Sequence, residues 1–148
     1  RVILGGDILA TTALKQFYSH VFPNVKVIKT EPTVAEYVKY LSNCFLTVKV
    51  SVANEFAKLC EAQGVDYDKV TEYANFDPRL GDTHWVVPGP DGKMGFGGSC
   101  FPKDLNSIIA LANKLGTPCH TMSGAWETNL EVRPEKDWEQ LKGRAVVK

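Results

Sequence analysis

The chain has 148 residues, the length of one ordinary domain able to bury a sizeable core. Its 17 basic and 17 acidic residues balance, which argues against a nucleic-acid footprint or a membrane-surface patch. No apolar run is long enough to span a bilayer, Arg1 opens no secretory signal, and the cysteines (Cys44, Cys60, Cys100, Cys119) include no CxxC pair, as suits free thiols in a cytoplasm.

The first predicted element is a strand over Arg1–Asp7 that ends in a Gly-Gly-Asp turn. A helix is expected from about Thr11 to His20, and a short strand over Lys26–Lys29. An opening strand with no earlier partner reads as a piece of a larger sheet. From about Thr33 to Gln63 a helical pattern runs without Gly or Pro until Gly64 stops it, a rod of roughly 45 Å. Val34, Val38, Leu41, Phe45, Val48, Val52, Phe56 and Leu59 form its main apolar face. Further apolar residues cover much of the rest, so the helix should be buried on more than one side, with a partner subunit packed along it. One stripe is polar: Lys39, Asn43, Thr47, Ser51 and Glu55 follow one another at helical i,i+4 spacing. It reads either as a solvated face or as a line that points Lys39 and Asn43 together into a site.

A shorter helix is predicted from Tyr67 to about Asn75 with Asp66 as its N-cap, then a turn over Phe76–Gly81 and a loop over Asp82–Lys93. A helix beginning near Phe101 and ending near Gly116 follows, and another covers about Met122 to Leu130. Arg133–Lys148 reads as a polar tail that ends in Arg144-Ala145-Val146-Val147-Lys148, which has the look of an aborted strand. His20, His84 and His120 have no metal-ligand spacing, so no metal site is expected.

The chemistry concentrates in Gly95-Phe96-Gly97-Gly98-Ser99-Cys100-Phe101-Pro102-Lys103-Asp104. A glycine-rich loop delivers one cysteine to the start of a helix, where unpaired N–H groups and the helix dipole favour a thiolate. Pro102 suits the first turn, and Asp104 lies one turn from Cys100 on the same face. Two blander readings stand beside this one: Cys100 as a small buried apolar residue, and the loop as a plain turn or phosphate cradle. The spacing matches neither G-x-G-x-x-G nor the P-loop pattern.

The segment GFGGSCFPKDL closely resembles the catalytic-cysteine signature of the UDP-glucose/GDP-mannose dehydrogenase family. Glu31–Leu46, followed by Asn54-Glu55, is similar to that family's central helix, and Asp77-Pro78-Arg79-Leu80-Gly81 is similar to its arginine-bearing turn. The resemblance covers roughly Glu31 to Leu115. It implies a mostly α fold: a helical central, dimerising domain with a long core helix, plus a small α/β remnant of a Rossmann domain at the N-terminus. The implied division is residues 1–30 for that remnant, 31–130 for the central domain, and 131–148 for a linker or the start of a nucleotide-sugar-binding domain, with Leu141–Val147 resembling the first strand of that domain.

By the same resemblance, Cys100 is the nucleophile that attacks a C6 aldehyde, Lys39 stabilises the oxyanion, Asn43 holds an oxygen or water, and Asp104 serves thioester hydrolysis. Arg79 resembles an arginine that reaches a neighbouring subunit's substrate, while Gly95, Phe96, Gly97 and Gly98 match backbone around the sugar. The implied partners are a nucleotide sugar and a second copy paired through residues 33–63, with NAD as cofactor. The G-x-G-x-x-G that binds NAD in the family is missing from these residues. The chain therefore reads as a fragment or reduced form, idle alone. Two other readings compete: a non-catalytic dimerisation module that pairs with full-length relatives, and a thiol redox protein. The latter is weakened because no resolving cysteine lies near Cys100 in sequence.

Overall fold

A computed structural model describes residues 1–144, which form two compact units, the first Arg1–Ser42 and the second beginning at Asn43. Of the strand expected over residues 141–147, residues 145–147 lie outside the described residues, and Gly143 and Arg144 form a turn. The fold is mostly α, with a small two-stranded parallel sheet.

The first unit is a β-α-β crossover followed by the start of a long helix. Strands β1 (Val2–Gly5) and β2 (Val27–Thr30) pair in parallel, Val2 opposite Val27 and Gly5 opposite Thr30, and helix α1 (Ile8–Val21) makes the crossover. Helix α1 starts earlier than the sequence pattern suggested. The cause is Asp7, read as a turn residue but acting as N-cap: its Oδ1 accepts from the amides of Leu9 and Ala10, each at 2.9 Å. Gly5 lets the chain turn back closely, since a Cβ there would lie 2.7 Å from Pro32 Cα and 2.8 Å from Ala35 Cβ. Ile8, Leu9, Phe17 and Phe22 stay exposed on α1, an apolar surface without cover in this unit.

Helix α2 (Pro32–Gln63) runs from the first unit into the second and ends where Gly64 adopts a left-handed φ of 68°. In the second unit it is joined by α3 (Tyr67–Ala74), α4 (Cys100–Lys114), α5 (His120–Val132) and a short 3-10 helix over Asp137–Gln140. As expected, Asp66 caps α3, its Oδ1 accepting from the amides of Asp68 and Lys69. The core gathers Cys44, Phe96 and Leu105 with Val50, Phe101, Ile108, Ile109, Met122 and Trp126 around them. Four aromatic rings form a row beneath the glycine loop: Phe101 to Phe96 at 6.3 Å, Phe96 to Trp126 at 6.2 Å, and Trp126 to Trp138 at 5.2 Å.

The polar stripe on α2 is exposed at its ends, Lys39 and Glu55, and buried in its middle. Thr47 and Ser51 are buried, Ser51 Oγ donating to Ala125 O of α5 at 2.9 Å, and Thr128 Oγ1 donates to Glu55 at 2.7 Å. At Thr47 and Ser51 the stripe is a packing seam. The side read as the main apolar face is instead open in this unit, with Phe45 66% and Leu59 60% exposed.

Candidate active site

Helix α4 begins at Cys100 itself, with Pro102 in its first turn, where the missing N–H costs no helical bond. The thiol is free and exposed, with Ser99 Oγ 3.9 Å from its sulfur. One turn further, Asp104 has no exposure to solvent. A carboxylate so placed needs partners on both oxygens, and it has them: Oδ2 accepts from Asn43 Nδ2 at 2.6 Å, and Oδ1 pairs with the Lys103 ammonium. An exposed thiol and a buried, hydrogen-bonded acid thus share one turn of α4. Next to this acid, the Cys44 thiol is pushed up to about 11, mainly by burial and further by the Asp104 and Cys119 charges.

The glycine loop is held by side chains that the sequence reading assigned no role. Asn129 on α5 clamps Phe96, accepting its amide at 2.7 Å and donating to its carbonyl at 3.0 Å. Asn54 Oδ1 on α2 accepts the Gly95 amide at 2.9 Å, and Asp137 accepts the Gly98 amide at 3.2 Å. Arg133, the C-cap of α5, donates to Met94 O and bonds both Asp91 and Asp137. Asn129, Arg133 and Asp137 are spaced by four, a helical signal, but Pro134 ends α5 between them and hid the connection. The space freed at Gly95 is filled by Asn129, whose Oδ1 would lie 2.4 Å from a Cβ there. At Gly98, φ is 69° and no atom stands within 4 Å of a built Cβ, so this glycine borders open space.

A cleft of about 480 Å³ opens beside the loop, lined by His84, Val86, Phe96, Gly98, Phe101 and Arg133 among others. His84 holds a left-handed φ of 67°, unusual for a residue with a Cβ. Burial, reinforced by the Lys49 charge, lowers its pKa, so the ring facing Phe101 at 5.9 Å favours its neutral form.

Two further candidates lie on other segments. Lys39 lies on α2 within the first unit, its ammonium 5.4 Å from the Tyr40 ring centroid. Arg79 is 87% exposed at its side chain and is braced by Asp77, with Nε 2.9 Å from Oδ1 and Nη2 2.5 Å from Oδ2. That pairing holds Asp77 below and Arg79 above their ordinary pKa values. The turn carrying Arg79 is tied down by Lys49, which donates to Leu80 O at 2.9 Å and Gly81 O at 3.0 Å, and lies 4.5 Å from the Trp85 ring centroid. Burial lowers the Lys49 pKa, opposed by Asp82.

A dinucleotide does not fit the turn after β1. Its pyrophosphate would rest on the first amides of α1, yet the Asp7 carboxylate already accepts two of them, and the space at Gly5 is filled by α2. Among the described residues, no three His, Cys, Asp or Glu side chains gather as metal ligands, and no helix is long and apolar enough to cross a membrane.

Comparison with known proteins agrees with this geometry. Residues 33–131 match the pattern of the UDP-glucose/GDP-mannose dehydrogenase family, central domain. The UDP-glucose 6-dehydrogenase TuaD of Bacillus subtilis is 39% identical over 107 residues, covering 72% of this chain and 22% of that protein. The UDP-glucose 6-dehydrogenase AglM of Haloferax volcanii is 38% identical over 121 residues, 82% of this chain and 27% of its own length. A solved UDP-glucose dehydrogenase from the hyperthermophilic archaeon Pyrobaculum islandicum superposes with a TM-score of 0.79 at 34% identity, covering 96% of this chain and 31% of that one. The chain thus spans a third or less of the relatives it matches. With its long helix, cysteine loop and arginine turn all in place, the chain belongs to the UDP-glucose/GDP-mannose dehydrogenase family through that family's central domain.

Proposed function

We propose that this chain carries the covalent chemistry of a cytoplasmic nucleotide-sugar 6-dehydrogenase, which converts the C6 alcohol of UDP-glucose or a related sugar to a carboxylate. The supporting observation is the exposed Cys100 thiol at the start of α4, one turn from a fully buried Asp104 bonded to Asn43 at 2.6 Å. Cys100 Sγ adds to the C6 aldehyde, and the carbonyl oxygen takes up the negative charge. Lys39 and Asn43 stabilise that oxyanion. Asp104, with one oxygen on Asn43, orients the water that later cleaves a C6 thioester and returns the thiol.

Family resemblance makes NAD the oxidant, two molecules for the four electrons removed. The described residues offer it no fitting turn, so the hydride steps are not assigned to this chain. Residues 1–30 read as the last strand-helix-strand of a dinucleotide-binding domain, residues 31–130 as the catalytic and dimerisation domain, and 131–148 as a lead into a nucleotide-sugar-binding domain. Gly95–Gly98 border the sugar. Arg79, presented outward on its turn, reaches the substrate of a second copy paired along the exposed side of α2.

The test joins or complements this sequence with the NAD-binding domain of a relative and follows NADH formation. UDP-glucose-dependent NADH is expected, with Cys100→Ser abolishing carboxylate formation. Equal activity in that variant would refute the covalent route. A stable dimer that shows no turnover under any such complementation would favour a non-catalytic pairing module instead.

A further inference from the structure

Gly97 is the odd glycine of the cysteine loop. Gly95 and Gly98 adopt left-handed φ values of 68° and 69°, a conformation glycine tolerates, but Gly97 does not, so its backbone would accept a side chain. What excludes one is Arg133. A Cβ on Gly97 would lie 2.3 Å from Arg133 Nη2, 2.5 Å from Cζ and 2.7 Å from Nε. The guanidinium fills the space that residue 97 leaves empty.

The Arg133 side chain is 2% exposed and bonds in three directions. Nη1 donates to Met94 O at 3.2 Å, Nη2 to Asp91 Oδ2 at 2.6 Å, and Nε to Asp137 Oδ1 at 2.6 Å. The other oxygen of Asp137 receives the Gly98 amide at 3.2 Å. One guanidinium therefore grips the loop on both sides of Gly95–Gly97, directly at Met94 and through Asp137 at Gly98. Between Gly98 and α4 the Ser99 side chain caps no amide of the helix.

We propose that Arg133 is the positioning residue for Cys100, setting the direction in which the glycine loop enters α4 and hence where the thiol stands. Asp91 and Asp137 orient the guanidinium and balance its charge. A lysine would keep the charge but, with a single nitrogen, could not span the three directions. The inference rests on the proposed function only for the use made of the thiol, and its test reads the thiol without substrate.

The experiment is iodoacetamide alkylation of the folded chain, with Cys100 and Cys119 quantified separately by peptide mass spectrometry. Arg133→Lys and Arg133→Met should change the Cys100 rate by on the order of threefold or more, with Cys119 and the far-UV spectrum unaltered. Gly97→Ala should do the same by displacing the guanidinium, and should add little when combined with Arg133→Ala. An unchanged Cys100 rate in a folded Arg133→Lys protein overturns the proposal and leaves an ordinary buried ion pair. Unfolding of both Arg133→Lys and Gly97→Ala overturns it as well, because Arg133 would then be a stability residue. Should only Arg133→Met unfold, the two milder variants give the same reading.

Discussion

The two long sides of α2 in the second unit invert the usual rule. The side with Thr47, Ser51 and Asn54 is buried, while the side with Phe45, Phe56 and Leu59 is exposed. The polar side can be buried because each group finds a partner: Thr47 bonds Cys44 O, Ser51 bonds Ala125 O, and Asn54 bonds Val50 O and the Gly95 amide. The apolar side, half-covered by α3 at Val52 and Phe56, stays exposed at Phe45 and Leu59 and marks a surface suited to a second chain. Polarity alone does not tell which side of a helix faces in. Whether hydrogen bonds can be completed there does.

The largest test of this contrast is on the inward side. Asn129→Ala removes both bonds to the Phe96 backbone and leaves a void, and should cost about 3 kcal/mol in urea unfolding. Alkaline titration tests the inward side at Cys44 and the packing of α3 at Tyr67. Cys44, at about 11, and Tyr67, pushed up to about 12 mainly by burial, both hold protons in the folded chain that the unfolded chain would release. Their contribution is complete below pH 9 and is lost as pH rises towards 11 and 12, about 2 kcal/mol for Cys44. Unfolding curves measured from pH 8 to 11 should show this loss, with Cys44→Ala flattening the first part. Ser51→Ala should cost about 1 kcal/mol by removing the bond to Ala125 O.

On the outward side, Phe56→Glu should cost the isolated chain less than Asn129→Ala, about 1 kcal/mol, because Phe56 is half exposed beside Tyr67, Val70 and Trp85. It should nevertheless shift sedimentation towards the monomer. If Phe56→Glu destabilises the chain as much as Asn129→Ala, the outward side is part of the chain's own core and the contrast fails.

Much of the fold could be read from the sequence because its signals are local. Gly64, Asp66 and Pro102 punctuate the helices where cap chemistry requires, and the Cys100–Asp104 spacing places both on one turn. Errors arose where tertiary partners decide. Asp7 looked like a turn residue because the helix it caps starts with Ile8 and Leu9, exposed residues that blur the amphipathic pattern. Asn54, Asn129, Arg133 and Asp137 were passed over because their partners are backbone atoms of a loop 33 or more residues away in most cases, which no periodicity records. The glycines of the motif illustrate both sides: their presence was evident, but two of them make room for Asn129 and Arg133.

The row of rings from Phe101 to Trp138 also gives the second unit a built-in optical reporter. Trp126 and Trp138, 5.2 Å apart at an interplanar angle of 54°, are close enough for their transitions to couple. Phe96 links that pair to the backbone of the cysteine loop, whereas Trp85 stands over Lys49 beside the arginine turn. Near-ultraviolet dichroism of the Trp126–Trp138 pair therefore offers a label-free signal for the cysteine loop, and Trp85 fluorescence, read with Trp126 and Trp138 replaced by Phe, one for the arginine turn.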